Sequence, residues 1–197
     1  MTEAAAENPL DTLTEDRARA RELEDPCANL CTLASVDAAG HPQARTVVLR
    51  DLDGRLAIFG NASSPKWQQM ALSASLAVVV WLPSLQVQYR LQCDTRPVPK
   101  QQLHESWALR PTPAKRLDWF YTRVQQQSSA IDSRDVLLDG LATLQVREPL
   151  VAPRTAEGVY LEPIFIERLD LTMPDGIHDR QAYRRVATGW RNFTLVP

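Results

Sequence analysis

Apolar and polar residues alternate with a period of two over much of this chain, and a helical stretch separates the first strands from the last. Such alternation predicts strands that bury one face. The run at residues 76–82 is apolar throughout, which predicts a strand buried on both faces. Strands are expected at residues 29–36, 44–50, 56–59, 76–82, 87–93, 159–171, 183–186 and 190–196.

Helical spacing and capping signals predict four helices around these strands. The first is rich in charged residues, so we expect it to be mostly exposed and to end at Pro26. The last begins at a serine cap, Ser133, and carries apolar residues along one side. Helices are expected at residues 12–25, 65–73, 100–109 and 134–147.

The order of these elements predicts a mainly β fold. The first three strands form an antiparallel meander, and six or more antiparallel strands with peripheral helices favour a small barrel over a Rossmann sheet. The chain has no G-x-G-x-x-G segment and no Walker loop, which argues against the common dinucleotide and nucleotide folds. We expect residues 1–25 to be a mobile N-terminus with a short helix, and residues 26–197 to be a single domain with a helical segment at about 99–147.

A candidate anion site lies where the second helix begins. Asp53-Gly54 predicts a tight hairpin, and the strand after it leads into Ser63-Ser64-Pro65-Lys66, a serine-proline helix start. The free amides and the dipole of a first helical turn attract anions, and Lys66 adds a full charge. Arg45 on the preceding strand could reach the same place. The local sequence therefore favours a phosphate site.

Two observations keep a simpler interpretation open. A serine-proline helix start is common without any ligand, and arginines at strand ends are usually solvated. Arg45 and Arg50 are also five residues apart, so a regular strand would direct them to opposite faces. Both could serve one ligand only if the ligand is long or the strand is irregular between them.

Composition narrows the class of protein. The formal net charge of −2 gives no general attraction to nucleic acid. The three cysteines do not form a metal-binding pattern, and we expect them to be buried or half-buried thiols of a reduced, cytoplasmic protein. The N-terminal residues lack the apolar centre of a signal peptide, and no apolar run is long enough to span a membrane.

Several short motifs, taken in order, resemble those of the pyridoxamine 5′-phosphate oxidase family. The first group is R-x-V-x-L-R from Arg45, a hairpin, an aromatic residue followed by x-N at Phe59, and S-x-K ending at Lys66. The resemblance covers residues 29–197 and implies an antiparallel split barrel that binds FMN as a homodimer. The further matching segments are LQVQ at 85–88, WALRP at 107–111, QSSAI at 127–131, HDR at 178–180 and the C-terminal GWRNFTLVP.

The resemblance implies a set of cofactor contacts, some of them supplied by the second subunit at the dimer interface. Arg45 and Lys66 fall where the family grips the FMN phosphate, with Ser64 at the helix start. The remaining implied FMN contacts are Thr46, Val47, Val48, Arg50, Phe59, Gly60, Gln88, Gln127, Ser128 and Arg180. No metal is implied.

The implied substrate contacts are Arg50, Arg110 and His178, and no residue is assigned to the chemistry itself. Several positions depart from the family pattern on the substrate side: Ser106 replaces a tyrosine, Ala114 a serine, and Gly176 the arginine of the substrate clamp. On the cofactor side, Pro65 replaces an arginine, and Leu169 stands near the position of a tryptophan. FMN binding is thus mostly preserved in the sequence, whereas the pyridoxal phosphate pocket is not.

The resemblance implies an FMN-dependent oxidoreductase in which a small anionic substrate gives a hydride to FMN N5 and O₂ is the final acceptor. One alternative is a split-barrel protein that binds flavin without turning over B6 vitamers. A weaker alternative is a structural dimer with an empty site.

Overall fold

The computed structural model describes residues 8–73 and 75–197. Those residues form five α-helices and nine β-strands. The helices are α1 Pro9–Glu22, α2 Pro65–Leu72, α3 Lys100–Ala108, α4 Thr112–Arg123 and α5 Arg134–Thr143. The strands are β1 Leu30–Val36, β2 Pro42–Val48, β3 Arg50–Leu52, β4 Arg55–Asn61, β5 Leu76–Leu82, β6 Val87–Pro97, β7 Ala156–Asp170, β8 Asp179–Val186 and β9 Gly189–Thr194.

All strand pairings are antiparallel, and the sheet branches at its longest strand. The first part of β7 pairs with β4, its second part pairs with β8, and β6 runs along both. The chain passes from β2 to β3 over the single buried residue Leu49, which joins the two ends of the main path. This is the expected antiparallel split barrel. The path runs β2-β1-β5-β6-β7-β4-β3.

The predicted meander is wrong in one respect. β1 pairs with β2 and β3 pairs with β4, but β2 and β4 are separated by four strands along the path. The physical reason is the break at Leu49, which is 1% exposed and interrupts the strand between Arg45 and Arg50. A continuous strand could have paired with a neighbour on each side. Because of the break, its first part, β2, pairs with β1, and its last part, β3, pairs with β4 at the other end of the path.

The barrel core is built from alternate residues of each strand. In β5 the side chains of Leu76, Val78 and Val80 are buried, whereas Ala77 and Trp81 are exposed, so the prediction of burial on both faces is wrong for this chain. One face of an antiparallel sheet packs on the core and the other remains outside, even when both carry apolar residues. Strand β6 alternates as predicted.

The cysteines are free thiols, as expected. Cys31 and Cys93 are buried in the barrel core, and Cys27 is half-buried. No helix within residues 8–73 and 75–197 combines the length and apolar character needed to cross a bilayer.

Helix α1 is much less exposed than predicted. It begins at Pro9, and both Leu13 and Arg17 have no exposed surface. The Arg17 guanidinium donates to the carbonyl oxygens of Ala28 and Leu49 at 3.1 and 2.9 Å. The charged composition of α1 predicts a solvent-facing arginine, but a buried arginine is stable where backbone carbonyls and a carboxylate, here Asp51, accept from it. Residues 1–7 of the predicted mobile segment lie outside the described residues.

The helical segment differs from its prediction in detail. Pro111 and Pro113 do not merely interrupt a helix; they lie at the start of α4, where proline fits the first turn. Ser133 caps α5 as predicted, its hydroxyl accepting from the Val136 amide at 3.2 Å. However, α5 ends at Thr143 and has no fully buried residue; Leu137 and Leu141 are half-buried, and Gly140 lies against the Phe120 ring of α4.

Candidate functional site

The hairpin and helix start predicted from the sequence are present. Asp53 and Gly54 both have positive φ, +50° and +72°, and β4 leads from this turn to α2. Ser64 is the N-cap residue and Pro65 the first helical residue. The Ser64 hydroxyl does not cap a backbone amide as expected; it accepts a hydrogen bond from Lys66 Nζ at 3.0 Å.

Lys66 is a buried cation without a carboxylate partner among the described residues. It is 8% exposed, and the Ser64 hydroxyl is its hydrogen-bond partner. Burial, together with the nearby charges of Arg45 and Arg110, lowers the pKa of Lys66 to about 8, although Asp118 acts in the opposite direction. A buried, unpaired ammonium at a helix N-terminus is suited to an anion.

Gly60 makes room for this ammonium. A Cβ atom at Gly60 would lie 2.9 Å from Lys66 Nζ, too close for an ordinary contact. Any larger residue would therefore have to displace the end of the lysine side chain. We call the space bounded by Gly60, Ser64 and Lys66 the basic notch.

The basic notch opens on a cavity of about 240 Å³ between the barrel and helices α3 and α4. Three cationic and two acidic side chains line it, together with apolar and aromatic groups. Eight residues predicted from the sequence line this cavity: Val47, Val48, Arg50, Phe59, Gly60, Lys66, Arg110 and Gln127.

The cavity wall is organised by Asp118, which the sequence reading did not select. Asp118 is 1% exposed, and its carboxylate accepts from Trp107 Nε1 and Arg110 at 2.6 Å each. It also accepts from Asn61 Nδ2 at 2.8 Å. The sequence feature that could have indicated this role is the position of Asp118 as a lone acid between Leu117 and the aromatic residues that begin at Trp119. A carboxylate in such a setting needs several donors if it is buried.

Asn61 connects this acid to the start of α2. Its side-chain oxygen accepts from the amide and hydroxyl of Ser63, at 3.0 and 2.8 Å. The Ser63 hydroxyl in turn accepts from the Gln127 amide at 3.1 Å. The conformation of the loop before α2 is therefore fixed in part by Asp118 and Gln127, which lie in the helical segment.

Two predicted cofactor residues lie beside the cavity without lining it. The Arg45 guanidinium donates to Ser35 Oγ at 2.6 Å and to Gln69 Oε1 at 2.7 Å, under α2. Ser128 follows Gln127, is exposed, and has a φ of +68°. Their roles remain predictions.

Three other predicted residues lie on the outer face of the sheet. Gln88 is paired in register with Trp81 on one side and Leu169 on the other, and Leu169 is paired with Arg180. We call this row the outer sheet face. Arg180 forms an ion pair with Glu167 at 2.9 Å. The third residue, Thr46, shares the same face, since it aligns through Thr32 with Val79, two residues before Trp81.

His178 is the remaining predicted substrate residue, and the structure does not bring it to the cavity. It is exposed in the loop between β7 and β8. Within one chain, the sequence-predicted contacts therefore fall on separate surfaces. The same loop contains Gly176, with a φ of +73°.

Two buried side-chain atoms near the site have no hydrogen-bond partner among the described residues: Gln127 Oε1 and Trp67 Nε1. Gln127 lines the cavity, and Trp67 follows Lys66 in the first turn of α2. Buried polar atoms in native proteins usually have partners, so an unpaired acceptor in a cavity wall is suited to a ligand that donates a hydrogen bond.

Comparison with known proteins agrees with this geometry. The sequence profile of the pyridoxamine 5′-phosphate oxidase family matches residues 17–146. The chain belongs to this family. A family member from Chromohalobacter salexigens, pyridoxine/pyridoxamine 5′-phosphate oxidase, is 32% identical over 99% of this chain and 91% of its own length. The enzyme of the same name from Alkalilimnicola ehrlichii is also 32% identical, over 97% and 98% of the two chains.

Solved structures confirm the family's fold. PhzG from Burkholderia lata 383, solved with tetrahydrophenazine-1-carboxylic acid, superposes with a TM-score of 0.85 at 20% identity, over 98% of this chain and 94% of its own. A pyridoxamine 5′-phosphate oxidase-related, FMN-binding protein from Nostoc punctiforme gives a TM-score of 0.77 at 17% identity, over 95% and 96% of the chains. At these identities the likeness concerns the fold.

Proposed function

We propose that this family member binds FMN, with the FMN phosphate in the basic notch. The observation that carries the proposal is Lys66: a buried ammonium at the amino end of α2 with no carboxylate within ion-pair distance in the described part of the chain. A phosphate group supplies the missing negative charge and also accepts from the amides of a first helical turn. Ser64 and the nearby Arg45 would complete the phosphate contacts.

The cavity fits the rest of the cofactor. Val47, Phe59 and Trp107 give it apolar walls suited to a flat ring. Gln127 Oε1 is a buried acceptor that no described residue donates to, and a flavin ring offers an N–H donor. When bound, FMN supplies a two-electron acceptor that O₂ can reoxidise.

We further propose that the site is completed in a homodimer. A cavity of about 240 Å³ is smaller than the roughly 300–1,000 Å³ of most small-molecule sites, so a flavin would extend past it. Val48 lines the cavity and is 49% exposed, at the border with the outer sheet face. Thr46, Gln88 and Arg180 on that face could meet the cofactor only if a second copy presented them.

The proposed activity is oxidation of a small anionic substrate. Arg50 lines the cavity and has no ion pair among the described residues, so its guanidinium is available to a substrate anion. The curated relatives are named for oxidation of pyridoxine and pyridoxamine 5′-phosphate, which are anionic. In the proposed role, Arg50 and Arg110 hold the substrate, and the apolar walls keep bulk water from the reacting carbon.

A second candidate is flavin binding without turnover of B6 vitamers. The specific observation in its favour is that Arg110 is already paired with the buried Asp118 at 2.6 Å. Its charge is therefore compensated before any substrate arrives, which weakens its attraction for a phosphate dianion. Ser106 also lines the cavity in place of the family's tyrosine.

A purified sample distinguishes these functions. The protein should take up FMN stoichiometrically and form a dimer in sedimentation analysis. Hydrogen peroxide release on addition of pyridoxamine 5′-phosphate supports the oxidase; bound flavin without peroxide supports the second candidate. Protein that fails to bind FMN contradicts both.

A pair of variants tests the substrate role. Arg50→Gln should raise the KM for an anionic substrate by about tenfold or more, as expected for loss of one charge-assisted contact. The matched control is Arg55→Gln, because Arg55 pairs with Glu162 outside the cavity and should leave KM unchanged. Equal effects of the two substitutions would exclude a specific role for Arg50.

A further inference from the structure

The indole N–H of Trp67 is buried and unused by the protein. Trp67 lies in the first turn of α2, and its ring packs against the barrel core. Its Nε1 atom is shielded from solvent, yet no acceptor lies within hydrogen-bond distance among the described residues. An indole nitrogen can only donate, so folding removes this group from water without returning a hydrogen bond.

Trp67 Nε1 and Lys66 Nζ converge beside Gly60. The point where a Gly60 Cβ would stand is 2.9 Å from Lys66 Nζ and 3.3 Å from Trp67 Nε1. Two donors, one charged and one neutral, therefore lie close together against Gly60, at the edge of the cavity that Gly60 and Lys66 line. The ammonium also lies 5.7 Å from the centre of the indole ring. Both groups approach this closely only because residue 60 has no side chain.

The surroundings select an anion with several acceptor oxygens. Among the described residues Lys66 has no carboxylate within ion-pair distance, and the charge of Arg45 adds to the positive potential, while Asp118, which is paired with Arg110, partly offsets it. A phosphate group has three terminal oxygens, so it can accept from an ammonium, an indole N–H and a hydroxyl at once. A lone water molecule would satisfy the indole but would leave the lysine charge uncompensated.

We propose that Trp67 is a phosphate ligand: its indole N–H donates to the anion that Lys66 binds in the basic notch. The identity of that anion as the phosphate of FMN rests on the proposed function. The role is one of binding, since the indole touches the phosphate end and not the reacting part of the cofactor.

The test compares FMN with riboflavin, which has the same ring but no phosphate. Trp67→Phe removes the donor and keeps an aromatic ring. We expect its dissociation constant for FMN to rise roughly ten- to hundredfold, the range for one hydrogen bond to a charged group, with riboflavin affinity unchanged. The matched control is Trp119→Phe, because Trp119 Nε1 already donates to the Val151 carbonyl oxygen at 2.9 Å. Flavin fluorescence quenching measures the six dissociation constants, for wild type and the two variants with each of the two ligands.

A second measurement does not depend on whether Trp67→Phe folds. In protein labelled with ¹⁵N-tryptophan, five indole signals are expected from the five tryptophans. Adding inorganic phosphate to the cofactor-free protein should move one indole proton signal downfield. That signal should be absent from the spectrum of Trp67→Phe. If Trp67→Phe does not fold, the other four indole signals can be assigned by substituting the other four tryptophans, and the signal that moves should be the one left over.

The outcomes separate this inference from the proposed function. Equal loss of FMN and riboflavin affinity, unchanged FMN affinity, or an indole signal that phosphate leaves in place would overturn the role of Trp67. A protein that binds phosphate through Trp67 but does not bind FMN would support the anion ligand and refute the cofactor assignment. Failure to bind either anion would overturn both.

Discussion

Lys66 gives the sharpest quantitative prediction, because its charge is costly in the unliganded fold. Burial lowers its pKa from 10.5 to about 8, so half of the molecules carry a neutral lysine near pH 8. A bound phosphate dianion restores the charge and raises the pKa again. If the pKa returns to 10.5, the coupling between the proton and the anion is roughly 3 kcal/mol, or about 300-fold in affinity.

The sign of the pH dependence follows from this coupling. FMN affinity should be highest between about pH 6, where a phosphate monoester becomes a dianion, and pH 8, the pKa of the free lysine. Above pH 8 the affinity should fall, by about 30-fold between pH 7 and 9.5. At pH 8 binding should take up about half a proton, measurable by calorimetry in two buffers of different ionisation enthalpy.

The same lysine should affect the stability of the cofactor-free protein. Between pH 8 and 10.5 the unfolded chain binds more protons at this position than the folded one, so the free energy of unfolding rises with pH in that window. The gain from pH 7 to 9.5 is roughly 2 kcal/mol, and Lys66→Met should abolish it. Urea denaturation at the two pH values measures the difference.

The matched control is Lys100→Met, since Lys100 is exposed at the start of α3. That variant should keep both the pH-dependent stability and the fall in FMN affinity above pH 8. A pH profile that is identical in wild type and Lys66→Met would refute the assignment of this lysine as a buried anion ligand.

Two further predictions concern buried polar groups, one in helix α1 and one in the wall of the cavity. Arg17→Met removes a fully buried guanidinium that donates to two backbone carbonyls, so urea denaturation should show a free energy of unfolding lower by about 2–4 kcal/mol. Its control is Arg19→Met, on the exposed side of the same helix, which should change the free energy of unfolding by less than about 0.5 kcal/mol. Asp118→Ala leaves the Trp107 N–H without an acceptor and should cost about 3–5 kcal/mol, whereas Asp139→Ala on exposed α5 should cost little. Equal losses within either pair would contradict the contacts described.

The sequence was most informative where short-range geometry decides the structure. The Asp53-Gly54 turn, Pro65 at the first helical position and the Ser133 cap each depend on a few neighbouring residues, and each was predicted correctly. The alternation of apolar and polar residues also predicted correctly which face of β6 is buried, because the other face of this strand carries only polar residues. The motif order then led to the split barrel and to eight of the residues around the cavity.

The failures arose where distant parts of the chain meet. No local pattern indicates that Arg17 is buried, because its partners are carbonyls and a carboxylate 11 to 34 residues away. The division of the meander depends on one residue, Leu49, and on strands much later in the chain. Asp118 was missed because its donors come from three separate places: strand β4, helix α3 and the connection between α3 and α4.

Asp118 also couples the two ends of the cavity, so that a substitution of this acid affects both ends at once. The carboxylate holds Arg110 on the substrate side and Asn61 on the side of the basic notch, and Asn61 orders the Ser63 amide and hydroxyl before α2. A substitution that removes this acid in order to release Arg110 would therefore also loosen the loop before α2, the helix proposed to bind phosphate. Since the notch does not require Arg110, a change at Arg110 itself leaves Asn61 bonded. Substrate preference can thus be altered at Arg110 with less damage to cofactor binding than at the acid that holds it.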